Sequence, residues 1–243
     1  MKHKPKILLV DIETAPATAY VWRLFDENIG IDQLITPGRI ICWGAKWHGQ
    51  RPVFYADERG GAKKMFLAIH ALMSEADAIV TYNGDKFDLP KLNGAFIEYG
   101  LPPLPPATSI DLLKTVRKMG AQSNKLAFIA PHLRIGDKVK TEGFRLWAEC
   151  LAGSKKAWDK MKRYNAQDVR LLGPLYDILL PHIKNHPYLG GTRPEERALH
   201  NCPRCQSQKS QSRGYRRTKM FLIQRIQCLG CGGWYEGKRE KVA

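Results

Sequence analysis

The sequence has no long apolar run. The basic start Met1-Lys2-His3-Lys4-Pro5-Lys6 leads into only four apolar residues, Ile7 to Val10, before Asp11 interrupts them. A run that short suits neither a secretory leader nor a membrane span. Acidic residues are scarce as well: 23 Asp and Glu stand against 39 Lys and Arg, a net charge of +16. That excess points to a polyanionic partner. Nucleic acid is favoured over an anionic membrane, because no basic helix with a strong apolar face stands out. Cysteine is sparse, and of the six, Cys42 and Cys150 are isolated and read as small buried apolar residues. The other four form two Cys-x-x-Cys pairs, which fit metal binding in a reducing compartment better than disulfides. The chain is therefore expected in the cytoplasm or at the nucleoid and not to be secreted. No internal repeat is present.

What is there reads as globular: 243 residues, 44% hydrophobic and 26% charged, enough for one medium domain and a small module. The organising stretch is Lys6 to Thr14, where the apolar run ends in Asp11-Ile12-Glu13. Four apolar residues, β-branched at both ends, suit a buried strand. Residues two apart on a strand share a face, so the Asp11 and Glu13 carboxylates project side by side. Adjacent buried anions repel unless paired or metal-bound, and a divalent cation held by oxygen ligands resolves this. Taken alone, the pair reads better as two solvated carboxylates in a strand-end loop, since Asp-x-Glu occurs by chance in most proteins.

After a loop through Pro16, Ile40 to Trp47 and Val53 to Ala56 predict two strands joined by a short turn, and Lys63 to Ala76 a helix. Ala78 to Tyr82 predicts another strand, followed by an Asn83-Gly84 turn and a helix from Pro90 to Gly100 that Asp88 can cap. The Pro-rich run Leu101 to Pro106 connects to a further strand around Ser109 to Leu113, which carries Asp111. Lys125 to Leu133 and Phe144 to Leu151 are short helices, and a longer helix runs from about Lys155 to Leu172, with Gly173-Pro174 expected to kink or restart it. Strands alternating with helices indicate an α/β domain over 1–186, and the Pro/Gly-containing stretch 187–200 reads as a linker.

The answer to Asp11 and Glu13 comes at Tyr164-Asn165-Ala166-Gln167-Asp168, where a tyrosine and an aspartate four apart share a helix face. With Asp88, four acidic residues from three elements can converge at one end of the sheet. Singly, Asp88 could be only a helix cap and Tyr164 with Asp168 an exposed polar pair, while Asp85 and Asp111 compete with Asp88. Together and in this order they resemble the DEDD superfamily of 3′-to-5′ exonucleases, in the subtype with tyrosine in the third motif. The exonuclease domains of family B DNA polymerases look nearest. The first motif matches Asp11-Ile12-Glu13-Thr14; the second matches Asn83, Phe87 and Asp88; the third matches Tyr164 and Asp168. Asn124-Lys125-Leu126 and Ile135-Gly136-Asp137-Lys138 also look like the stretch between the last two motifs. The sister subtype has a histidine five before the last aspartate, and here that residue is Arg163.

The resemblance implies a ribonuclease H-like mixed sheet flanked by helices, and 3′-to-5′ hydrolysis of nucleic acid, DNA in preference to RNA, with two Mg²⁺ or Mn²⁺ ions. It assigns Asp11, Glu13 and Asp168 to the ion that activates water, with Asp11 also reaching the second ion and Asp88 holding it. Tyr164 would orient the water, since its ordinary pKa near 10 makes it a poor base. Asn83 and Phe87 are candidate substrate contacts. A structure-specific endonuclease on the same fold, or an inactive binding or docking module, are the competing readings. No polymerase domain is legible, so proofreading would need a replication or repair protein in trans.

The C-terminal piece, 201–243, carries Cys202-Pro203-Arg204-Cys205 and Cys228-Leu229-Gly230-Cys231. Four thiolates at this spacing make a closed tetrahedral Zn²⁺ site, and the module resembles a zinc ribbon. It also holds ten Lys or Arg against two Glu, half of the +16. Arg213, Arg216, Arg217, Lys219 and Arg225 surround Tyr215 and Phe221, with Trp234 and Tyr235 beyond. Basic groups among aromatics suit a single strand or a DNA 3′ end, although Phe221 and Trp234 would serve equally as a small core.

Overall fold

Strand β1 (Ile7–Ala15) forms where the apolar run predicts it and carries on through Asp11 and Glu13. The computed structural model describes residues 5–184, 186, 201–218 and 220–242, so the linker expected over 187–200 and Lys219 lie outside the described residues. After β1 come the short β2 (Thr18–Ala19) and β3 (Leu34–Thr36), then β4 (Arg39–Trp47) and β5 (Phe54–Asp57). Helix α1 (Ala62–Ser74), strand β6 (Ala78–Thr81), helix α2 (Asp88–Glu98), strand β7 (Thr108–Asp111) and helix α3 (Leu112–Val116) follow. Three more helices, α4 (Leu126–His132), α5 (Phe144–Leu151) and α6 (Lys155–Leu179), lead on to strands β8 (Ser210–Arg217), β9 (Phe221–Cys228) and β10 (Trp234–Lys241).

The main sheet has the order β5-β4-β1-β6-β7. β4 runs antiparallel to β1 and β5, whereas β6 is parallel to β1 and β7, so the sheet is mixed. Alternation along β1 feeds two cores. Leu8, Val10 and Ile12 pack with Trp43 against Met65, Phe66 and Ile69 of α1 and Leu92 and Phe96 of α2. Leu9 points the other way, to Val169, Leu172, Leu175 and Tyr176 of α6. A third cluster joins Ile41 and Cys42 to Cys150, Trp158 and Met161, and both isolated cysteines are buried there as expected.

Helix α6 differs from its expectation: it passes through Gly173 and Pro174 without a restart. An internal proline costs about 3 kcal/mol. Beyond it Leu175, Tyr176 and Leu179 are each at most 3% exposed, and burial of such side chains contributes roughly 1.5–3 kcal/mol apiece, so packing on the sheet wins. Where the sequence predicts only a loop through Pro16, the structure adds the short β2–β3 ladder and the loop it closes. It is internally tied, with Glu27 accepting from the amides of Trp22 and Arg23, and Gln33 donating to Tyr20 O and Glu27. Its Trp22, Leu24, Phe25 and Ile31 side chains are all at least 80% exposed. No helix among the described residues is long and apolar enough to cross a membrane.

Candidate active site

Asp11 and Glu13 lie on the same face of β1 as Leu9, the face that α6 covers, and α6 brings Asp168 to them. Carboxylate oxygens of Asp11, Glu13 and Asp168 fall within 4.8 Å of one another. A bulge in the β1–β4 ladder directly after Glu13 shifts the register there, and pairing resumes with Thr14 opposite Ile40. Three close carboxylates suppress one another's ionisation. Burial first, then Glu13, Asp88 and Asp168, push the Asp11 carboxyl well above its ordinary range. Burial and then Asp168 push Glu13 up to about 8. Asp168 is raised too, by burial, against the pull of Lys138.

Lys138 is the residue whose place in the site the sequence reading did not assign. Its Nζ lies 2.7 Å from Asp168 Oδ2 and donates to the Tyr164 hydroxyl at 3.0 Å. Burial would lower its pKa, but Asp168 and Tyr164 outweigh this, so the ammonium stays charged. Its signal was a basic residue within Ile135-Gly136-Asp137-Lys138, a stretch singled out only by resemblance. Tyr164 stacks edge-on against Trp147 at 5.8 Å. Burial and then Asp168 raise its hydroxyl above the ordinary value.

Asp88 is the first residue of α2, and not the cap of a helix starting at Pro90. It is 4% exposed, and its Oδ1 accepts from Ile12 N at 3.1 Å. That amide lies beyond Leu9–Val80, the last pair that β1 makes with β6, so Asp88 replaces a missing ladder partner. Burial pushes Asp88 up to about 7 even with that hydrogen bond. The competing aspartates are engaged elsewhere. Asp111 Oδ1 accepts from Asn83 N at 2.8 Å and Leu113 N at 3.0 Å, so it caps α3 and holds the turn after β6. Asp85 pairs with Lys114 and Ser109. The turn itself requires its residues: Asn83 has φ +69°, and a Cβ on Gly84 would stand 2.2 Å from Thr81 Oγ1. Phe87 is 38% exposed, with the Lys91 ammonium 5.0 Å above its ring.

Residues 36–180, more than half of the chain, match the RNase_H superfamily. The chain belongs to that superfamily. In fold this RNase_H superfamily member is similar to the family B DNA polymerase from the hyperthermophilic archaeon Pyrobaculum calidifontis, with a TM-score of 0.52 and 18% identity. The likeness covers 74% of this chain and 25% of the polymerase, so the chain spans about a quarter of that protein's length. No curated protein matches the sequence. Superfamily and fold together support a nuclease.

The same superfamily member carries a second cluster, in which the Cys202, Cys205, Cys228 and Cys231 sulfurs lie within 4.8 Å of one another. They flank a three-stranded sheet of order β10-β9-β8. Burial alone would raise the Cys228 thiol, but the amides of Cys231 and Gly230 bring it down to about 7. Arg204 donates to Ile183 O just after α6 and to Trp234 O at the start of β10, tying the cluster to the larger fold. Arg213, Tyr215, Arg216 and Arg217 all lie on β8, an edge strand, and are exposed. Arg216 is partly spent on Glu236 at 2.6 Å. Trp234 is 48% exposed, with the Arg225 guanidinium 6.0 Å above its ring, whereas Ile223 and Ile226 make the buried face.

Proposed function

We propose that the chain is a metal-dependent 3′-to-5′ exonuclease acting on DNA, with single strands and 3′ ends as substrates. The observation that carries this is the meeting of Asp11, Glu13 and Asp168, with Asp168 Oδ1 buried and without a partner among the described residues. Hard oxygen donors crowded to this degree fit Mg²⁺ or Mn²⁺, and the orphaned oxygen is a ligand in waiting. Asp11, Glu13 and Asp168 would hold one ion, and Asp88, through the oxygen not given to Ile12, would hold a second. When bound, two such ions supply an activated water and neutralise the attacking and leaving oxygens of the phosphodiester.

The chain's own groups orient and neutralise. Tyr164, whose hydroxyl is held by Lys138 and whose ring is held by Trp147, positions the attacking water and keeps its own proton, because its pKa lies above the ordinary 10. The Lys138 ammonium adds a fixed positive charge where a phosphate would enter. The four cysteines would hold a structural Zn²⁺ as a ribbon, and the exposed arginines of β8 would draw the strand in. The 3′-to-5′ polarity is what the resemblance of the three motifs to the DEDD exonucleases implies. The test is a digestion panel with Mn²⁺ or Mg²⁺: mononucleotides released from the 3′ end of labelled strands support the reading, and cleavage of closed circles overturns it.

Two further outcomes are expected. Tyr164→Phe keeps the ring and loses the hydroxyl, so the saturated rate should fall by up to about 10²-fold, the scale of a positioning effect. An unchanged rate would remove Tyr164 from the mechanism. Joint substitution of Arg213 and Arg217 by Gln should weaken single-strand binding and flatten the slope of log affinity against log salt by about 0.7 per lost phosphate contact. A slope that does not change would point β8 toward protein docking.

A further inference from the structure

Between Tyr164 and Asp168 stands a residue that no motif claimed. Asn165 is 0% exposed, and its Nδ2 donates to Asp11 Oδ2 at 2.8 Å and to the Asp11 carbonyl at 3.2 Å. Its Oδ1 is buried and without a hydrogen-bond partner among the described residues. An amide oxygen buried in that way costs about 1–3 kcal/mol, which a leucine of similar size would avoid. Its place is explained by the amide nitrogen.

Space for that amide comes from the neighbouring strand. Gly44 is the residue paired with Asp11 across the β1–β4 ladder. A Cβ on Gly44 would stand 2.4 Å from Asn165 Oδ1 and 3.0 Å from Val169 Cγ2. The glycine is needed for room and not for backbone freedom, since it is not among the residues with positive φ.

We propose that Asn165 is a positioning residue that fixes the Asp11 carboxylate for a divalent cation, with Gly44 as the cradle that admits it. The inference rests on the exonuclease reading of the same site. Asp11 shares its corner with the carboxylates of Glu13 and Asp168, all within 4.8 Å of one another, so its orientation needs a holder. The Asn165 amide holds Oδ2 in place and leaves Oδ1 for the ion. Because the donor is neutral, it orients the ligand without competing with a cation, in contrast to the Lys138 ammonium on Asp168.

The test uses the whole 243-residue chain, zinc-loaded, with Mn²⁺ as probe, reading free Mn²⁺ by electron paramagnetic resonance. Asn165→Leu removes the donor at similar volume, and Gly44→Ala pushes the same amide from the other side. Each should weaken Mn²⁺ binding by about 10- to 100-fold, the usual effect of losing a group that orients a metal ligand. The double variant should be no worse than either single one, because both act on one hydrogen bond. The metal-free melting temperature of Asn165→Leu should not fall, whereas a purely structural residue would lower it and spare Mn²⁺ affinity. If wild type binds Mn²⁺ and Asn165→Leu binds it within twofold, the inference fails alone. If wild type binds no Mn²⁺ that Asp11→Asn abolishes, the exonuclease reading fails and this inference with it. Should Gly44→Ala not fold, Asn165→Leu decides.

Discussion

Asp11→Asn and Asp168→Asn, made separately, are expected to reduce hydrolysis by at least about 10³-fold while folding and strand binding persist. The amide keeps the shape of the carboxylate and removes the charge, and the loss of a ligand to the ion is worth several kcal/mol of barrier, at about 1.36 kcal/mol per factor of ten. Persistence of the fold follows from where the charge sits: these carboxylates are held close together with raised pKa values, so neutralising one relieves repulsion. Binding persists because the exposed arginines lie on β8 and not on the sheet that carries the carboxylates. Asp88→Asn should be nearly as severe. Asp111→Asn should be mild, since an asparagine oxygen can still accept from Asn83 and Leu113. Substantial hydrolysis by purified Asp168→Asn protein sinks the assignment. An active Asp88→Asn beside a dead Asp111→Asn would show that the second motif has been placed on the wrong aspartate.

Without divalent ions, stability should fall as pH rises from about 4.5 to about 8, and Mn²⁺ should restore it most strongly at the top of that range. The sign follows from Glu13 and Asp88, whose folded pKa values are pushed up to about 8 and about 7 from 4.5 and 3.8, with Asp11 and Asp168 raised as well. Between the unfolded and folded values the native state holds more protons than the unfolded chain, so the slope of stability with pH is negative. The contribution is complete below the unfolded values and lost as pH passes the folded ones. A bound cation favours the ionised carboxylates and abolishes the slope, in the way that any ligand of the native state stabilises it. Melting curves at pH 5 and pH 8, with and without Mn²⁺, decide it, and Glu13→Gln should show a shallower fall. A metal-free protein that grows steadily more stable toward pH 8 would contradict the crowded-carboxylate picture.

Short-range pattern carried much of the fold into view. Four apolar residues followed by Asp-x-Glu predict β1, its burial and the shared face of Asp11 and Glu13, because a strand's period of two is a property of the backbone. Asp168 and Tyr164 were legible as a helical pair for the same kind of reason, and the four cysteines by their spacing. Where local rules spoke alone they misled. Pro174 argues for a break in α6, and burial of Leu175, Tyr176 and Leu179 overrides it. Asp88 reads as a cap, and it goes instead to an Ile12 amide left without a β6 partner.

The alternation of strands and helices, the thiolate pairs and the acidic motifs are readable from neighbours a few positions apart, and the basic charge from composition alone. That Asp11, Glu13 and Asp168 meet, that Lys138 pairs with Asp168, and that Asn165 reaches Asp11 past Gly44 are matters of long-range packing. Those contacts join residues far apart in the chain. They exist because α6 is packed across β1 and β4 by apolar side chains whose pattern says only that they will be buried, and not against what.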